Sequence, residues 1–143
     1  VEREGGDAMT TKTAPKMTKT EMGRLYKKAH EAGMEAGEKV IPQPMIVFQR
    51  ENPFDDTSAI TKVYEPVMDG VCGFAWVVIR PGTSSFARYL KSKGLASKHY
   101  YGGVSVWVGY FNQSMTRKEA YARAFADVLR EAGIDAYAGS RMD

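Results

Sequence analysis

What the chain lacks narrows its reading first. Among 143 residues there is one cysteine, Cys72. No intramolecular disulfide can form, which fits a reducing compartment better than a secreted scaffold. The longest apolar run, residues 74–79, falls far short of the roughly 20 residues that a bilayer-spanning helix needs. Residues 1–16 carry no apolar stretch of the signal-peptide kind. Two histidines and one cysteine without metal-ligand spacing argue against a structural zinc site. No motif calls for a cofactor, and the expectation is a soluble, intracellular protein with no membrane partner. The most informative absence is of acid: residues 70–118 run 49 positions without one Asp or Glu.

That acid-free stretch holds seven basic residues: Arg80, Arg88, Lys91, Lys93, Lys98, Arg117 and Lys118. It also holds both tryptophans and more than half of the aromatic residues. Basic residues interleaved with rings are the composition of phosphate-binding and base-stacking surfaces. The same composition also describes a sheet core rimmed by solvated lysines. The net charge of +3 is uneven, with 11 Lys+Arg against 12 Asp+Glu in residues 1–82 and 9 against 5 in residues 83–143. This modest asymmetry favours an anionic partner without requiring one.

Residues 1–16 have no periodicity and read as a mobile leader, leaving residues 17–143 as one domain. Thr18 and Glu21 have capping-box spacing, and Met22, Leu25, Tyr26, Ala29, Ala32 and Ala36 share one helical face. Gly33 and Gly37 weaken that helix unless it packs closely on something. Short strands are expected at 45–49 and 60–67, with Pro66 placing the second at an edge. Asp69-Gly70 is a hairpin signal leading into a strand over 71–80, whose apolar run suggests burial on both faces. Thr83 or Ser84 starts a short helix that Gly94 stops. Residues 103–110 alternate, with Val104, Val106, Val108 and Tyr110 on one side and Ser105, Trp107 and Gly109 on the other. Thr116 and Glu119 again have capping-box spacing, before a stripe of Ala120, Tyr121, Ala124, Phe125, Val128, Leu129 and Ala132. A short strand over 134–138 follows. The expected fold is α+β: a two-layer sandwich, a mixed sheet with helices mainly on one face.

Candidate ligand-binding residues cluster in three places. Trp107 stands between two residues too small to cover it, so it is either a stacking platform or is packed under the 51–58 loop or the first helix. Lys98, His99, Tyr100 and Tyr101 precede paired glycines that let backbone approach a ligand, although Tyr-Gly-Gly is also an ordinary turn. Thr83, Ser84 and Ser85 at a helix N-terminus, with Arg80 nearby, offer an anion site, although most helix N-termini bind only water. Arg88, Lys91, Lys93 and Lys98 are the basic residues expected to line a phosphate-binding surface. Cys72 with His99 would be a nucleophile and its base only with a third, orienting group, and a lone cysteine before a buried strand is more often a small core residue. Asp55-Asp56 offers at most a weak magnesium site.

Three segments, DGVCGFAWVVIRPG, FARYLKSKGLASKHYYGGVSVWV and QSMTRKEAYARAFADVLREAGIDAYAGSRMD, carry a resemblance to a family of small proteins encoded by tailed bacteriophages. It covers residues 69–143 and brings no catalytic or binding residues with it. It implies a viral accessory protein acting in the cytoplasm of a bacterial host. The leading expectation is therefore a non-enzymatic module binding nucleic acid or a nucleotide. A protein-interaction module engaging a host or virion protein, and a small enzyme, stay open beside it.

Overall fold

The computed structural model describes residues 16–44, 46–66 and 70–143. The expected leader apart from Lys16, Met45 and Val67 of the expected early strands, and Asp69 of the expected turn lie outside those residues. The elements in chain order are α1 (Lys19–Lys39), β1 (Phe48–Arg50), β2 (Ile60–Val63), β3 (Gly73–Arg80), α2 (Ser85–Ser92), β4 (Ser97–Lys98), β5 (Val104–Trp107), α3 (Met115–Glu131) and β6 (Asp135–Met142). No described helix is long and apolar enough to cross a membrane.

From β3 onward the order is β-α-β-β-α-β, and the strands lie side by side as β4-β5-β3-β6. Every neighbouring pair is antiparallel. Strands β3 and β4 therefore run parallel with β5 between them, while β5 and β6 run parallel with β3 between them. This is the split β-α-β unit used twice. The α+β two-layer sandwich stands, but the expected mixed pairing does not, because each crossover skips one position. The early strands are a second correction. Strands β1 and β2 form a separate two-stranded sheet rather than the start of a meander. Pro66, which has no N–H to give a ladder, follows β2 and blocks its extension towards β3.

The helices cover one face. Met22 and Ala29 of α1, Phe86 and Leu90 of α2, and Phe125 and Leu129 of α3 form one core with Ala75, Val77 and Ile79 of β3. Val104, Val106 and Ala136 complete it from the flanking strands. The α1 cap is the expected capping box: the Glu21 N–H donates to Thr18 Oγ1, and the Thr18 N–H donates to Glu21 Oε1. The α3 cap differs from expectation. Ser114, not Thr116, is the N-cap and accepts from the Arg117 N–H at 3.3 Å. Glu119 instead accepts from the Ser140 hydroxyl, tying α3 to β6. The bridge between Cys72 and Ser114 draws the start of α3 two residues forward.

Gly33 and Gly37 explain why α1 tolerates two weak helix formers. A Cβ at Gly33 would lie 2.7 Å from the Tyr121 ring, and one at Gly37 would enter the Phe111 ring. Close contact with α3 replaces what propensity loses, about 1 kcal/mol per glycine. Tyr121 sits at the middle of this contact, buried, with its hydroxyl 2.6 Å from His30 Nδ1. Tyr26 and Phe125 pack around it.

Two outcomes follow from this core. Leu129→Ala, at a fully buried site, is expected to destabilise by about 2–5 kcal/mol in denaturant unfolding; a loss well under 1 kcal/mol would contradict the core assignment. Burial, with Tyr26 and Tyr110 nearby, holds the Tyr121 phenol well above its ordinary value near 10. Above pH 10 the unfolded chain loses that proton while the folded chain keeps it, so stability falls as pH rises, by up to about 1.4 kcal/mol per unit. Tyr121→Phe is expected to make this alkaline loss shallower. An unchanged alkaline slope in the variant would show that the phenol is not the group responsible.

Candidate functional site

The pleat of β3 sends Ala75, Val77 and Ile79 into the core and Phe74, Trp76, Val78 and Arg80 to the opposite face. On that outer face only Val78 is buried, while Phe74 and Trp76 are half-buried, so the expected two-sided burial is incomplete. Strand β5 adds Ser105 and Trp107 to the outer face, and β6 adds Tyr137, Gly139 and Arg141. All three helices share the other side of the sheet.

Register places Trp76 opposite both Trp107 and Gly139. The two indoles tilt together with centroids 5.2 Å apart, and Phe74 meets Trp107 edge-on at 6.0 Å. A Cβ on Gly139 would lie 2.5 Å from Trp76 Nε1, so the Trp76 indole rests on bare backbone. Trp107 is 51% exposed and covered neither by the 51–58 loop nor by α1. Of the two readings of Trp107, the exposed one holds.

The turn after β4 forms a lip beside these rings. The His99 N–H donates to the Gly103 carbonyl at 2.9 Å, and the Gly102 N–H donates back to His99. Gly102 and Gly103 have φ of 103° and 79°, where only glycine sits without strain. Tyr100 and Tyr101 project from the turn, 88% and 79% exposed, and meet edge-on. The Tyr-Gly-Gly segment is thus a turn and also a presenter of two rings. Arg80 braces it, its Nη2 donating to the Tyr137 hydroxyl at 2.9 Å and to the Tyr101 carbonyl at 3.4 Å.

Between lip and rings lies an open cavity of about 420 Å³. Trp76, Trp107, Ser97 and Ser105 line it from the sheet, and Lys98, His99, Tyr100 and Tyr101 from the lip. Arg141 reaches it from β6, its guanidinium 5.5 Å from the Phe74 ring centre. No carboxylate is among the lining residues; Asp135 shares the face at the far end of β6, opposite Arg80. In the register Ser97 stands opposite Ser105 and Lys98 opposite core-facing Val104, so Lys98 lines the cavity at its edge with its side chain on the helix side. The site therefore combines π faces, the Arg141 cation and small hydroxyls, which suit a planar ring joined to an anion.

Five of the nine candidate residues, Lys98, His99, Tyr100, Tyr101 and Trp107, meet in this cavity, with Arg80 behind them. Lys91 does not; with Lys98 it borders a second recess of about 480 Å³ beside Pro81, Gly82 and Thr83. Ser84 and Arg88 line neither recess. The Ser84 hydroxyl accepts the Ala87 N–H as the cap of α2, and Arg88 stands exposed on that helix. Two further basic residues are structural: Arg117 Nε donates to the Val40 carbonyl, and buried Lys118 donates to the Gly73 carbonyl at 3.3 Å.

Trp76, Ser97, Ser105 and Arg141 are site residues that the sequence reading missed. Period-two alternation carried through β3 would have put Trp76 on the Trp107 side, but nothing local reveals the register of β6. Cys72 and His99 stand at opposite ends of β3, about 25 Å apart at ~3.3 Å per residue, so they form no nucleophile and base. Asp55 accepts the Thr57 N–H and hydroxyl, bonds that hold its carboxyl below the usual range.

Glycine substitutions test the lip. A Cβ at Gly103 would lie 2.5 Å from the Ile79 carbonyl oxygen, whereas one at Gly109 meets nothing within 4 Å. Gly103→Ala is expected to destabilise by about 1–3 kcal/mol and Gly109→Ala by no more than about 0.5 kcal/mol, measured by urea unfolding. Equal effects would mean the turn is not held as described.

Comparisons of the chain with protein-family models, with curated proteins and with solved structures find no match, so its function is read from this face alone.

Proposed function

We propose that this is a non-enzymatic accessory protein that binds nucleic acid or a nucleotide on the outer face of its sheet. One observation carries the reading: half-exposed Trp107 and partly buried Trp76 lie side by side on the two central strands, with Arg141 at the same cavity. Aromatic rings in such a position stack bases whatever their sequence, and the cation holds phosphate. The separation of Cys72 from His99 removes the one nucleophile–base pairing that the sequence suggested. The resemblance to tailed-phage proteins supplies the proposed setting, the cytoplasm of a bacterial host.

A second reading has its own observation. None of the described residues of the β1–β2 arm is buried, and Ile46, Val63 and Phe54 are 59%, 63% and 97% exposed. A two-stranded sheet with apolar side chains in solvent is a surface for a host or virion protein that adds a strand or covers the arm.

Fluorescence anisotropy with labelled single-stranded oligonucleotide tests the first reading. Affinity is expected to fall with salt, and replacing Arg141 by Ala should flatten the slope of log affinity against log salt by about 0.7. Trp107→Ala should weaken binding by about 1–3 kcal/mol. If no single-stranded DNA, RNA, duplex or mononucleotide binds at low salt, the reading fails and the protein-partner reading replaces it.

A further inference from the structure

The outer face does more than offer rings and charge; its layout selects among nucleic acids. We infer that the ligand is a single strand, laid across the sheet from the β4 edge to the β6 edge, with two or three unstacked nucleotides in contact. This inference rests on the nucleic-acid reading above and sharpens it.

The cavity carries the direction. Its lining reaches from Ser97 and Lys98 on the outermost strand, through Trp107 and Trp76 on the central pair, to Arg141 on the opposite edge. Three inter-strand steps of ~4.8 Å make that span about 14 Å. A strand stacked as in a duplex advances ~3.4 Å per nucleotide, so 14 Å covers about four stacked nucleotides and fewer when the bases are splayed. Four-stranded sheets with rings on their central strands hold two or three bases in this way.

The chemistry excludes a duplex as the preferred ligand. Trp107, Tyr100 and Tyr101 are exposed rings, and the flat face of a base that would stack on them is free only when the base is unpaired. A duplex must be held by its phosphates, and on the outer face the cavity offers one uncommitted cation for that, Arg141. Lys98 stands opposite core-facing Val104, Arg80 is committed to Tyr137 and the Tyr101 carbonyl, and Lys118 to the Gly73 carbonyl. One phosphate contact supplies little affinity beside the 6–10 or so of strongly salt-dependent duplex binders. Stacking has to supply the rest, and a mononucleotide can use only one ring. Gly139 contributes by what it lacks. Bare backbone there leaves room for the Trp76 indole, which any side chain at that position would displace.

Tryptophan fluorescence reads the site directly, since both tryptophans of the chain, Trp76 and Trp107, line it. The full chain is titrated with thymidine monophosphate, oligothymidylates of two, four and eight nucleotides, the matching oligouridylates, and a blunt DNA duplex. Affinity is expected to rise at least about fivefold from the mononucleotide to the tetranucleotide, the worth of one further stacked base. It should then level off at eight nucleotides, with a salt slope no steeper than about −2. Trp107→Ala should cost about 5- to 150-fold. The DNA and RNA series distinguish which single strand is preferred, and either outcome supports the inference. Three outcomes overturn it: duplex bound as tightly as the octanucleotide, mononucleotide bound as tightly as the tetranucleotide, or affinity still climbing with length beyond four. Each of those leaves the broader nucleic-acid reading standing. Absence of binding to every probe removes both.

Discussion

Because β3 is hydrogen-bonded along both edges, its register decides what the rest of the molecule can be. Seen from β3, the same eight residues supply the small and branched core side chains Ala75, Val77 and Ile79 and the outward rings Phe74 and Trp76. A slip of one position would drive two large rings against the helices and expose Val77 and Ile79. The long pairing with β6, from Gly73–Met142 to Arg80–Asp135, opposes such a slip along the whole strand. Trp76 depends on it most closely, since its indole needs the missing side chain of Gly139. The candidate site is a consequence of a core constraint and was not added to a finished fold.

Helix packing answers the same constraint from the other side. Sheet residues as small as Ala75 and Ala136 let α3 lie close, and α1 then lies on α3 through Gly33 and Gly37. Large side chains are concentrated where the layers meet, with Tyr121, Phe125 and Phe86 fully buried. With every large ring of the helix side spent on that core, the rings of the outer face have no packing duty of comparable weight. Trp107 meets Phe74 and Trp76 of β3 and stays half in solvent, with no described helix on its side of the sheet.

Periodic features were legible in the sequence, and paired ones were not. The Thr18 cap, the glycine-dependent first helix, the Gly94 stop and the alternation around Trp107 follow from local chemistry, and all are present. The α3 start was misjudged because Ser114 and Thr116 both suit a cap, and the choice was made by the Cys72 bridge, a contact distant in sequence. Antiparallel order, the two-residue strand β4 and the approach of Arg141 to Trp107 depend on which strands become neighbours. No local pattern states that. The acid-free segment supplies most of the residues around the outer-face cavity, but two of its seven basic residues, Arg117 and Lys118, serve the fold.

Two exposed surfaces among the described residues, the outer sheet face and the β1–β2 arm, differ in chemistry, which bears on what each can bind. The outer sheet face combines indole and phenol rings with Arg141, and no acid lines its cavity. The β1–β2 arm exposes aliphatic Ile46, Val47, Ile60 and Val63 together with Phe48, Phe54 and Tyr64, and the loop joining its strands carries Glu51, Asp55 and Asp56. Arg50 lies over the Phe48 ring and Lys62 over the Tyr64 ring, so rings and cations by themselves do not set the two surfaces apart. The carboxylates do: three of them beside the arm repel a phosphate backbone, whereas none lines the cavity on the sheet.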